Sequence, residues 1–153
     1  RAAIEVLLSP ATPEGLSVSE RRSIAVFASA LLGEPVSRAR FETLLGDPRP
    51  SRLLQAEADG ASRPGPYGRF PPAPLTAADL DGPPYRAPAD LGEPLAAALE
   101  HVHLLLTHPG EAASARLPLA ARRITERIVG VVRLAAQLSV GIVGQDHPVL
   151  AAE

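Results

Sequence analysis

The chain of 153 residues contains no cysteine, methionine, tryptophan, lysine or asparagine. The absence of cysteine excludes disulfides, thiol nucleophiles, cysteine-ligated zinc sites and iron–sulfur clusters. All 15 basic residues are arginine, and together with 17 acidic residues they give a formal net charge of −2. A nearly neutral chain with three phenylalanines and two tyrosines gives no indication of a nucleic-acid partner or of an anionic membrane surface.

Alanine and leucine dominate what is present, and hydrophobic residues make up 46% of the chain, enough for one core. No segment alternates apolar and polar residues in the period of two that a half-buried strand requires. We therefore predict an all-α domain in the form of a helical bundle. No signal peptide or lipidation motif is visible, so we expect a cytoplasmic protein.

Proline divides the chain unevenly, because 11 of its 17 prolines lie between Pro48 and Pro94. The sequence predicts helices, a long irregular middle and further helices. We expect one domain with N-terminal helices over 1–59, a Pro/Gly-rich connecting loop over 60–94 and C-terminal helices over 95–153. The loop contains three of the five aromatic residues, which we expect to hold it against the helices: Tyr67, Phe70 and Tyr85.

Two N-terminal helices have clear start and stop signals. Ser17 and Glu20 have the spacing of a capping box, and Gly33 is a typical C-terminal stop. Between them, apolar residues recur at three- and four-residue steps, which predicts one buried face. A shorter helix over 36–45 ends at Gly46, with Phe41, Leu44 and Leu45 on one side.

The C-terminal part contains two strongly apolar segments. A helix from Leu95 is followed by one that covers 128–143 and begins either at Thr125 or after Pro118. The second has few polar residues and is shorter than a membrane span, so we expect neighbouring helices or a second subunit to bury it. Arg133 and Gln137 share one face of it, as a solvent-exposed strip or as the lining of a polar pocket in an oligomer.

The histidines are the main candidates for chemistry. Glu100 and His103 have the Glu-x-x-His spacing of di-iron bundles, but the chain has no second copy of that element. His101 and His103 project about 200° apart on a helix and therefore cannot share an ion. We expect no metal and no cofactor. We also expect the pairs Arg21–Arg22 and Arg122–Arg123 on solvated helix faces.

Residues 16–33, with their capping box and glycine stop, resemble the first core helix of the alkylhydroperoxidase D-like and carboxymuconolactone decarboxylase-like superfamily. Residues 101–109, 112–114 and 124–129 are similar to its second half. The resemblance implies an all-α fold and a homo-oligomer. Active peroxidases of the family carry Cys-x-x-Cys-x-x-x-His after this helix, where this chain has Glu34, Ser37 and Phe41. We therefore expect no thiol peroxidase activity and assign no catalytic residue.

Three hypotheses follow for the function. The first is a non-catalytic structural or regulatory oligomeric subunit, which could also associate with a cysteine-bearing relative. The second is an enzyme that uses acid–base groups such as Glu100, His101 or His103 on an unknown small molecule. The third is a small-molecule binding module. Histidines on the surface would favour the first hypothesis, and a buried histidine beside a carboxylate in a deep pocket would favour the second.

Overall fold

The computed structural model describes residues 2–61, 85–107 and 117–152, with the side chains of the last helix described through Leu138. These residues form six α-helices and no strand, which confirms the all-α prediction. A 3-10 turn, Ala89–Leu91, precedes the fifth helix. The helices are α1 (Ala2–Leu8), α2 (Val18–Leu32), α3 (Pro35–Leu45), α4 (Pro48–Ala61), α5 (Leu95–Thr107) and α6 (Leu119–Ala152).

Helix α2 occupies the centre of the bundle and contacts each of the other five helices. Seven consecutive residues, from Ser23 to Ser29, are buried, so almost the whole circumference of this helix is covered. Four of these seven residues are alanine or serine, whose small side chains let the neighbouring helices approach closely. Ser29 satisfies its hydroxyl within the helix by donating to the carbonyls of Ala25 and Val26.

The predicted ends of the first helices are confirmed. The Ser17 hydroxyl accepts from the amide of Glu20, and the Glu20 carboxylate accepts from the amide of Ser17. Gly33 ends α2 with a φ of 70°, in the left-handed region that glycine adopts without strain. Helix α3 ends at Gly46, and Phe41 is buried, whereas Leu44 is exposed, contrary to the expectation that both face the core.

Helix α4 begins the proline-rich stretch and lies almost wholly within 1–59, the range expected to hold the N-terminal helices, although the sequence analysis identified no separate helix there. Pro48 and Pro50 occupy the first turn of α4, where backbone amides have no acceptor within the helix, so their missing N–H groups cost no hydrogen bond. Leu54, Ala58 and Ala61 then bury one side of α4. Tyr67 and Phe70 lie outside the described residues.

Helix α6 starts after Pro118 and runs for 34 residues, about 50 Å at 1.5 Å per residue. Thr125 is therefore not a cap: it is buried within the helix and donates to the carbonyl of Ala121. The face toward the core includes Ile128 and Val132, whereas Arg133 and Gln137 are exposed, as expected for a solvent-exposed strip. None of the described helices combines the length and apolar character needed to cross a membrane.

Candidate functional site

His101 faces α6 from one flank of α5 and is fully buried. Its Nε2 lies 3.0 Å from Oε2 of Glu126, whose side chain is 44% exposed. Because a carboxylate only accepts, Nε2 carries the proton in this pair. The other ring nitrogen, Nδ1, is buried and has no hydrogen-bond partner. Within the described residues the arrangement is a histidine–carboxylate pair at the interface of two helices.

His103 projects from the opposite flank of α5 and is 2% exposed. Its Nε2 lies 3.3 Å from the carbonyl oxygen of Ala61, at the end of α4. The centroid of its ring is 5.5 Å from that of Tyr85. The two histidines therefore contact different elements, which confirms the prediction that they lie on opposite flanks. Both are buried, and neither His108 nor the side chain of His147 lies within the described part.

Tyr85 holds the segment 85–91 against the bundle, as predicted for this aromatic residue. Its ring packs 5.4 Å from that of Phe27, and its hydroxyl donates to Oε1 of Glu57 at 2.9 Å. Burial raises the pKa of Tyr85 above its ordinary value, and Glu57 and Glu100 raise it further. The hydroxyl therefore stays protonated and remains a donor to Glu57 across the physiological range.

Glu100 is covered by the same segment, and its side chain is 13% exposed. Its carboxylate accepts from the amide of Ala87 at 3.0 Å and lies 3.9 Å from the guanidinium of Arg86. The sequence could not predict this partner, because the contact depends on a loop returning over α5. Glu100 and Glu57 thus fix two points of the 85–91 segment.

Glu34 and Ser37 form the start of α3. The Glu34 carboxylate caps the helix by accepting from the amides of Val36 and Ser37. Burial alone would raise the pKa of Glu34, but hydrogen bonds from the Ser37 hydroxyl and from both amides outweigh it, so the pKa is lowered. Glu34, Ser37 and Phe41 are all buried. These positions therefore carry a helix cap and a core side chain.

A groove of about 550 Å³ lies between α3 and α4. We call it the α3–α4 groove. Its polar lining comes from six side chains that the sequence did not single out: Arg38, Glu42, Thr43, Ser51, Arg52 and Gln55. Arg38 donates to Oε1 of Gln55 at 2.7 Å and lies 3.9 Å from Glu42. The periodicity of the sequence gave no signal for this site, because the groove depends on α4, a helix that was not predicted.

Helix α6 carries apolar side chains on the side away from the core. Leu134 is 55% exposed and Leu138 is 58% exposed, and Gly130, on the same side, has open space around its Cα. We call these three residues the outer face of α6. Successive residues are 100° apart, so Leu134 lies about 200° from the buried Val132. Between Ile128 and Leu138, Arg133 and Gln137 are the polar residues, as the sequence shows.

Comparison with known proteins gave no match to a protein-family model, to a curated protein or to a solved structure. Among the described residues, no group of three or more histidine, aspartate and glutamate side chains is arranged to hold a metal ion. Function therefore has to be inferred from the chain's own side chains: the buried histidines, the α3–α4 groove and the outer face of α6.

Proposed function

We propose that this chain is a non-catalytic, self-associating helical subunit of the alkylhydroperoxidase D-like type, in which the outer face of α6 binds a second copy. The observation that carries the proposal is the exposure of Leu134 and Leu138 on the side of α6 opposite its core contacts. Burying a leucine contributes about 1.5–3 kcal/mol, so covering both in each of two copies is a substantial driving force.

A second copy is the occupant that suits this face. A two-fold axis passing between Leu134 and Leu138 would place each leucine against apolar side chains of the partner, since the same patch supplies both halves of the contact. Gly130 has no side chain and its Cα faces open space, so another helix could approach closely there. The small formal net charge of −2 opposes association only weakly.

Both described histidines are buried instead of lying on the surface, as was expected for a non-catalytic subunit, but each of them bonds to another element of the fold. His103 hydrogen-bonds to a backbone carbonyl, and His101 pairs with Glu126 at the α5–α6 interface. Glu34 and Ser37 cap a helix at the positions where the resemblance places redox cysteines. Support for the alkylhydroperoxidase D-like type comes from the helix starts and stops on which the resemblance rests, including the capping box and glycine stop of α2.

Size-exclusion chromatography with light scattering tests the proposal on the full chain. The wild type is expected at twice the 15.9 kDa chain mass, and the double variant Leu134→Glu/Leu138→Glu at the single mass. Leu119→Glu is the matched control, because Leu119 is 51% exposed on the same helix but lies about 22 Å before Leu134 along its axis, at 1.5 Å per residue. A wild-type monomer at micromolar concentration, or a dimer that persists in the double variant, would contradict the proposal.

A second candidate, acid–base catalysis, is favoured by the pairing of His101 with Glu126, which leaves Nδ1 as an unprotonated nitrogen when the ring is neutral. A structural role for His101 and a catalytic one differ in whether a small molecule can reach Nδ1 in the folded protein. Diethyl pyrocarbonate modification followed by peptide mapping measures this for each histidine. Under the structural role His101 reacts only when the chain is unfolded, whereas rapid modification in the folded protein would favour the enzyme.

A further inference from the structure

We infer that the α3–α4 groove binds a small organic carboxylate, with Arg38, Ser51 and Arg52 as the groups that hold it. The groove is largely open to solvent, and its volume of about 550 Å³ leaves room for a small organic molecule, since small-molecule sites span about 300–1,000 Å³. It is much larger than one ion requires, and the rest of its lining includes Ala39, Gly46 and Pro48, against which an apolar part of a ligand can pack. This inference is independent of self-association through α6.

Two buried polar atoms without hydrogen-bond partners belong to side chains of this groove. They are Oγ of Ser51 and Nε of Arg38, which makes no hydrogen bond but lies 3.9 Å from Oε2 of Glu42. Ser51 is 8% exposed. A serine within a helix commonly donates to a carbonyl one turn earlier, but Ser51 does not. A buried donor without a hydrogen-bond partner costs about 1–3 kcal/mol of stability. A ligand that accepts a hydrogen bond from both groups would recover that cost.

The charge of the groove favours a single negative group. Arg38 and Arg52 supply two positive charges, and Glu42, near Arg38, supplies one negative charge. Arg52 makes no ion pair with any residue that the structure describes. The planar guanidinium group matches the geometry of a carboxylate. One excess positive charge therefore fits a monocarboxylate better than a doubly charged phosphate.

The start of α4 adds a second reason to prefer a carboxylate over a phosphate. Phosphate sites at helix starts rely on several free backbone amides. Here Pro48 and Pro50 have no N–H, and the amide of Arg49 already donates to Asp47 at 3.0 Å. The first turn of α4 thus offers no cluster of free amides, and recognition depends on the arginine and serine side chains.

The test is titration of the full-length protein with sodium butyrate, followed by two-dimensional ¹H–¹⁵N NMR, with inorganic phosphate in a parallel series. Saturable shifts are expected for the Arg38 Nε–H and for the amides around Ser51, with weaker binding of phosphate. Absence of saturation, or phosphate binding equal to or tighter than that of butyrate, would overturn the inference.

Three variants locate the site. Arg38→Gln is expected to weaken butyrate binding about tenfold, as for the loss of one hydrogen bond to a charged group. Ser51→Ala is expected to weaken it about fivefold without loss of stability, because it removes a hydroxyl that has no partner. Arg40→Gln removes an exposed arginine of α3 outside the groove and is expected to leave affinity within twofold. Unchanged binding in Ser51→Ala and Arg38→Gln would refute the assignment.

Discussion

Arg21 holds the N-terminal segment against α2 by donating to three backbone carbonyls. Its Nε donates to Leu16 at 2.9 Å, and its two terminal nitrogens donate to Leu7 and Glu14 at 2.9 and 2.7 Å. Burial lowers the pKa of Arg21, and repulsion by Arg127 adds to this effect. The sequence predicted a solvated arginine, because position within a helix does not reveal carbonyls that arrive from the preceding loop.

Replacing Arg21 by methionine is expected to destabilise the fold by about 3 kcal/mol or more, since three carbonyls lose a charged donor and hydrogen bonds to charged groups contribute about 1.5–3 kcal/mol each. Arg21→Lys is expected to recover only part of this, because one ammonium group cannot reproduce the fork of the guanidinium. Urea denaturation measures both, with Arg40→Met as an exposed control. A loss below 1 kcal/mol in Arg21→Met would contradict this role.

The Glu34 cap makes stability depend on pH in the acid range. The pKa of Glu34 is lower in the folded protein than its ordinary value of 4.5. The cap therefore stabilises the fold fully above that value, and its contribution is lost as the pH falls through the lowered pKa. Unfolding by urea at pH 7 should show Glu34→Gln less stable than the wild type, and the difference should shrink toward pH 3. A constant difference across this range would contradict the assignment.

At the scale of secondary-structure elements, α5 is tied to α4 and to α6 by one histidine on each flank. His101 reaches α6 through Glu126, and His103 reaches the end of α4 through the carbonyl of Ala61. Arg133 adds a second tie between α5 and α6, donating to the carbonyl of Leu105 at 3.1 Å. Each histidine thus provides a directional contact between α5 and another helix.

Glu126→Ala is expected to destabilise the fold by about 1–3 kcal/mol, because it leaves both ring nitrogens of the buried His101 without partners. Arg123→Ala is the control, since Arg123 is exposed on the same helix, one turn earlier. Thermal or urea unfolding followed by circular dichroism measures the difference. Equal stability of the two variants would show that His101 tolerates burial without Glu126.

The elements that the sequence predicted best are those whose ends depend on local chemistry. The capping box and glycine stop of α2 and the glycine stop of α3 are local, and the structure places them as expected. Helix α4 was missed because Pro48 and Pro50 normally indicate an interruption, and only the structure shows that they lie in a first turn. Helical geometry predicted that His101 and His103 project from opposite flanks of their helix. It could not predict that both are buried or which groups they contact, because these depend on tertiary packing.

For the whole molecule, apolar side chains fill the centre of the bundle and also lie exposed on the outer side of α6. From the sequence, we expected other helices or a second subunit to bury the apolar residues 128–143. In the structure α2 lies at the centre of the bundle, where its small residues let five helices contact it. Helix α6 packs against the core through Ile128, Val129 and Val132 and exposes Leu134 and Leu138. Sequence periodicity could not distinguish these sides, because apolar residues occupy both.

Self-association through the outer face of α6 should make hydrogen exchange depend on protein concentration. The amides from Arg133 to Leu138 are expected to exchange more readily in the monomer. When the dimer predominates, the monomer fraction is inversely proportional to the square root of the protein concentration. A tenfold rise in concentration should therefore slow their exchange about threefold by mass action. Amides of the buried residues Ser23 to Ser29 in α2 serve as the internal reference, because they are covered within one chain. In Leu134→Glu/Leu138→Glu the concentration dependence should disappear, and its persistence there would place the contact on another surface.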